Sequence, residues 1–181
     1  MSDYMADAAA DWIVLKASRA GAPRATQLHV QKLLFFFEGW HLALTDSPLF
    51  EENVYAWKNG PVLKSIWHRF RNFEADPIPV GTVRTNPANI LSNGVQNLFG
   101  QIFAKYGGEN PGALVGLTHM EGTPWQTVRK KAGIRRGAQS DIVIPKKLIK
   151  DHFRAELKRA LAPRSIASGK RVAAEFAALQ S

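Results

Sequence analysis

Five histidines and fifteen carboxylates are the residues through which this chain would do metal or acid–base chemistry, and their spacing argues against both. His119-Met120-Glu121 has the H-x-E pattern of a zinc deaminase, in which the histidine holds the metal and the glutamate moves the proton. That site takes two further thiolate ligands, and the chain has no cysteine. His29 and His41 fall on one predicted helix at a spacing that i, i+4 ligand pairing does not allow, and no H-E-x-x-H motif is present. His41 reads as a core or boundary residue, and His68 and His152 stand alone on helical faces. Glu51 and Glu52 are neighbours in a turn, so their carboxyls diverge and make an exposed patch rather than a catalytic pair. With no G-x-S-x-G elbow, Walker loop or strand-coupled G-x-G-x-x-G, the sequence predicts no enzyme, no cofactor and no metal.

Five tryptophans point instead toward binding. Trp12, Trp40 and Trp67 recur with apolar stripes at helical spacing and belong to a core. Trp57 and Trp125 lie beside Gly-Pro and Thr-Pro, where a ring is expected to be half exposed and to anchor an interface. Trp57-Lys58-Asn59-Gly60 pairs a ring with a flexible cation and a fixed turn, Gly60 supplying a backbone shape that other residues resist; a plain helix-entry turn explains the same residues. Trp57, Lys58, Asn59, Trp125, His119 and Glu121 are therefore the candidate partner contacts.

Charge adds a second surface. The net charge is +9, yet residues 1–128 hold ten Lys/Arg against eleven Asp/Glu, so the excess comes from the last third. Arg129, Lys130, Lys131, Arg135, Arg136, Lys146, Lys147 and Lys150 form a basic set suited to an acidic partner, nucleic acid included. No helix carries Arg, Asn or Gln arranged to read base edges, so a nucleic-acid binder or autorepressor would hold phosphates without reading sequence. A solvated basic face is the plain alternative.

These residues must be carried by a fold. A chain of 181 residues with 45% hydrophobic content makes one domain with a real core. The absence of cysteine excludes disulfides. No apolar run approaches the roughly 20 residues of a membrane span, and the acidic start is unlike a signal peptide, so a cytoplasmic protein is expected. The apolar rhythm Val30, Leu33, Leu34, Phe37, Trp40, His41, Leu44 predicts a central helix opened by Thr26, one face buried, with Lys32 and Glu38 nearer its edge. A first helix spans residues 4–17. Asn53 to Trp57 alternates as a strand, Pro61 starts a helix, and Pro77 to Val83 offers a second, edge strand. A helix follows from Ile90 to Tyr106, then short helices near 111–120 and 124–131 behind Asn110-Pro111 and Thr123-Pro124. Ile142 to Ile144 is briefly extended, and Pro145 to Leu161 is helical. The fold class is mainly α: a single compact helical domain over residues 4–161 with a small two-stranded β element, and a basic tail over 162–181 whose stretch from Ser168 to Leu179 is a marginal helix.

Gln31-Lys32-Leu33-Leu34, Gly39-Trp40-His41-Leu42-Ala43, Pro48-Leu49-Phe50, Ala56-Trp57, Gly60-Pro61-Val62, Leu117-Thr118-His119 and Pro124-Trp125, in this order and spacing, resemble the Panacea domain, an antitoxin family of bacteria and phages. The likeness covers residues 4–155. Phe36-Phe37-Glu38 and Asp46 depart from it, Asp46 replacing a glycine common in that turn; both bear on partner choice more than on fold. The resemblance implies a bacterial antitoxin of a toxin–antitoxin system that binds a cognate protein toxin. Its SocA-type members further imply a proteolytic adaptor delivering the toxin to the ClpXP protease, with separate surfaces for toxin and protease. The neutral body and the basic last third fit such a division.

Overall fold

The run from Gln27 to Thr45 forms α2, and it is buried on nearly every side, which is where a helix apolar all round must lie. Thr26 caps it by accepting from the His29 N–H at 3.3 Å. At the other end Asp46 takes a left-handed conformation (φ 64°) and returns its N–H to Leu42 O. A glycine adopts that conformation more readily; here the Asp46 carboxylate instead holds Lys150 at 2.6 Å and Arg154 at 3.3 Å.

The computed structural model describes residues 4–19 and 25–162. Around α2 pack α1 (Tyr4–Arg19), α4 (Asn93–Tyr106), α5 (Pro111–His119), α7 (Lys146–Leu161) and a small antiparallel sheet. Aromatic rings fill the contacts. Phe37 stacks on Phe99 at 3.7 Å, Trp12 meets both edge-on, and Phe36 stacks on Tyr106 at 4.3 Å. Phe153 of α7 lies so close over Gly39 that a Cβ there would sit 2.1 Å from its ring, so glycine is required at the crossing.

The sheet has the order β2-β1-β3, from β1 (Val54–Trp57), β2 (Gly60–Leu63) and β3 (Val143–Ile144). It is three-stranded, and its second strand is not the expected one. Pro61 sits in β2 opposite Ala56, and α3 begins only at Lys64, running to Phe70. Proline is tolerated because β2 is an edge strand and Pro61 needs no donor there. Pro77 makes one bridge to Thr26, and Val80–Thr82 closes a single 3₁₀ turn.

The short helices are as read from sequence. Asn110 accepts from the Ala113 N–H and Thr123 from the Gln126 N–H, opening α5 and α6 (Pro124–Lys131), each with proline in the first turn. The helix expected from Ile90 begins at Asn93, capped by Ser92. Glu52, expected as an exposed carboxylate beside Glu51, caps the first turn of α3 through the backbone and hydroxyl of Ser65. Asp11 joins α1 to the segment after α3: it accepts from Arg84 N, Thr85 N and Thr85 Oγ1 and pairs with Arg69. No described helix is long and apolar enough to cross a membrane. The tail helix expected between Ser168 and Leu179 lies outside the described residues.

Candidate partner-binding site

The β1–β2 hairpin carries Lys58 and Asn59 at its exposed tip, and its stability depends on side chains from α2. Pro61 and Leu63 turn backbone groups away from β1, toward that helix. Gln31 answers Leu63 as another strand would, donating Nε2–H to Leu63 O at 3.1 Å and accepting from Leu63 N at 2.9 Å. Lys32 donates Nζ–H to Pro61 O at 2.9 Å. Neither Lys32 nor Glu38 lies at the edge of α2; both are fully buried, because each has a partner far away in sequence. Glu38 accepts from Leu49 N and Phe50 N and pairs with Lys146 of α7 at 2.5 Å.

Burial without a counter-charge pulls the Lys32 ammonium down from 10.5 to about 7. Gly60, at φ 103°, passes directly over it: a Cβ would lie 2.7 Å from Lys32 Nζ and 2.9 Å from Thr118 Oγ1. Thr118 O accepts from Thr123 Oγ1 at 2.8 Å, which fixes the turn between α5 and α6. In that turn His119 stacks on Trp125, 3.6 Å between centroids and 4° from parallel. Burial first, then the charges of Lys32, Arg129 and Arg136, lower the His119 imidazole to about 4, so the stacked ring is neutral. Trp125 donates Nε1–H to Trp57 O at 2.7 Å and thereby fastens α6 to the hairpin.

The candidate partner contacts therefore divide. Lys58, Asn59 and Glu121 are exposed. Trp57 is half-buried, its Nε1 donating to Asp141 at 3.0 Å and its ring lying edge-on to Trp67. Trp125, expected half-exposed, is 5% exposed, with His119 over one face and the Arg129 guanidinium 4.9 Å from its centroid. The basic set divides as well. Arg129 is buried and donates to Ala56 O, Arg135 O and Ala138 O. Lys146, Lys147 and Lys150 each face a carboxylate, those of Glu38, Asp151 and Asp46. Lys131, Arg135 and Arg136 are exposed, and Lys130 reaches Glu121 only at 3.5 Å. No three metal-ligating side chains converge among the described residues.

Apolar periodicity alone does not reveal the bracing by Gln31, Lys32 and Glu38. The available signal is that Gln31, Lys32 and Glu38 interrupt the apolar stretch from Val30 to Trp40.

A mainly α scaffold that grips a small sheet through the polar residues of its central helix is the class that this fold and site define. Residues 30–126 match the family model described as Antitoxin SocA-like, Panacea domain, and the chain belongs to that antitoxin family. It is 28% identical over 160 residues to Antitoxin SocA of Caulobacter vibrioides, covering 82% of each chain. No solved structure matches it significantly.

Proposed function

We propose that this protein is an antitoxin that binds and neutralises a cognate protein toxin, acting as a proteolytic adaptor that hands the toxin to ClpXP and performing no catalysis itself. Membership of the SocA-like antitoxin family carries the reading. The motif residues serve structure: the side chains of Gln31, Lys32 and Trp125 hold the hairpin, and the backbone carbonyl of Thr118 holds the α5–α6 turn. What faces outward is contact surface, namely Lys58 and Asn59 at the hairpin tip, the edge of Trp57, and Glu121. Residues 4–161 act as the toxin-binding unit, and the basic tail from 162 supplies contacts to the protease.

Expression of the neighbouring gene, alone and with this protein, tests the proposal through growth and through the neighbour's half-life. Rescue with a half-life shortened only when ClpXP is present is the expected result. Rescue without degradation would remove the adaptor step, and a neighbour that is harmless on its own would remove the toxin.

A further inference from the structure

The stretch from Gln126 to Ser140 contains five cations and no acid. One of the five organises the others. Arg129 is buried, and its guanidinium donates to Arg135 O at 3.1 Å and Ala138 O at 2.6 Å, while Arg129 O accepts from Ile134 N at 2.9 Å. Gly133 and Gly137 supply the two left-handed turns (φ 66° and 80°) that this loop needs. Arg135 and Arg136 are thus presented on a pinned loop, with the ordering cost already met in the free protein. Among the described residues Lys131, Arg135 and Arg136 form no ion pair, whereas all three lysines early in α7 do. Arg129, on which the loop is pinned, lies 4.9 Å from the Trp125 ring that His119 stacks on, so the loop is fastened to α6 close to the α5–α6 turn.

An open groove of about 430 Å³ lies between the α5–α6 turn and the outer face of α6, lined by Gly122, Gln126 and Thr127 together with Lys130 and Lys131. Leu117 and Met120, at the end of α5, are 40% and 58% exposed, an unusual display for large apolar side chains. Glu121 also lines the groove. A continuous phosphate backbone would meet that carboxylate with repulsion and would gain nothing from Leu117 and Met120. The eight-residue α6 has its first residues, Pro124 and Trp125, buried, so it cannot enter a DNA groove end-on.

We propose that the exposed face of α6, its pinned loop and the end of α5 together form a docking surface for an acidic protein segment, one in which carboxylates alternate with apolar side chains. Carboxylates of the segment pair with Lys131, Arg135 and Arg136, and its apolar residues cover Leu117 and Met120. The identity of its owner rests on the antitoxin reading: the segment belongs to the toxin.

Two titrations of the full chain test this. In the first, the protein encoded beside this gene is bound by the wild type and by Lys131→Glu/Arg136→Glu, both positions exposed and removed from the core. The double variant should bind at least tenfold more weakly at low salt while melting at the same temperature, and wild-type affinity should fall as salt rises. Equal affinity of the two would overturn the docking surface and leave the antitoxin reading standing. In the second, a labelled peptide alternating Glu and Leu competes with duplex DNA of equal charge. Peptide binding that the double variant loses is the expected result. Preference for DNA, or no peptide binding, overturns the proposal. A wild type that takes the peptide but ignores the neighbouring protein would instead sink the toxin assignment and keep the acidic surface.

Discussion

Lys32 concentrates most of what is unusual at the residue scale, since a fully buried amine donates to a carbonyl, Pro61 O, and among the described residues no carboxylate pairs with it. Its value near 7 is below the 10.5 of a free lysine, so between those limits the unfolded chain binds more protons and stability rises with pH. Compared with Lys32→Met, the wild type should gain stability as pH climbs from 7 toward 10.5, and the difference should be constant below that window. Urea midpoints of the two proteins at several pH values check this, and parallel profiles throughout would mean that the amine titrates as if exposed. The variant also leaves Pro61 O without its donor, at a cost of about 1–3 kcal/mol. His119 works in the same sense over a lower range. Its folded value of about 4 lies below the ordinary 6.5, so stability falls as pH drops through that interval and levels off below it. An NMR titration should place the His119 midpoint near 4, and a midpoint near 6.5 would mean that the ring is not held against Trp125.

Elements are joined here by side chains that stand in for backbone. Gln31→Leu keeps the volume of the residue but strips Leu63 of both a donor and an acceptor, two buried groups, so it should destabilise the protein by about 2–5 kcal/mol in urea melts. A loss under about 1 kcal/mol would show that water satisfies that edge of β2. Gly39→Ala drives a methyl into the Phe153 ring and should cost about 1–3 kcal/mol, with much of the loss absent in a Phe153→Ala background. Additive losses would disprove the close crossing of α2 and α7. These junctions also explain what was legible beforehand. Asn110-Pro111 and Thr123-Pro124 each place a cap and a fixed φ in adjacent residues, so the starts of α5 and α6 could be read to the residue. Pro61 misled because its role as an edge-strand residue is settled by α2, far away in sequence. The same holds for Lys32 and Glu38: periodicity put them near an edge, and only Pro61, Leu49, Phe50 and Lys146 make burial affordable. The candidate site was half legible for the same reason. Lys58, Asn59 and Glu121 are exposed by local turn chemistry, while Trp125 and Arg129 are drawn inward by carbonyls of β1.

Across the whole molecule, α2 is the axis on which the sheet and most of the helices converge, and α7 closes the last side of it. That closure is partly ionic: without Lys146, the Glu38 carboxylate would keep its backbone donors from Leu49 and Phe50 but lose its counter-charge in a buried site. It is also apolar, through Ile149 and Phe153. Two truncations separate this structural job from the function proposed for the tail. Ending the chain after Ile144 removes α7 with its buried residues and should abolish cooperative unfolding, because several core contacts and an ion pair are lost together. Ending it after Ala162 removes Arg164, Lys170 and Arg171 but no described core residue, and should shift stability by less than about 0.5 kcal/mol. The shorter chain should still bind the neighbouring protein, since the hairpin tip and the basic α6 loop are intact, yet fail to shorten its half-life in cells containing ClpXP. Unchanged turnover would place the protease contact on the helical body, and a loss of binding would make the tail part of the toxin interface.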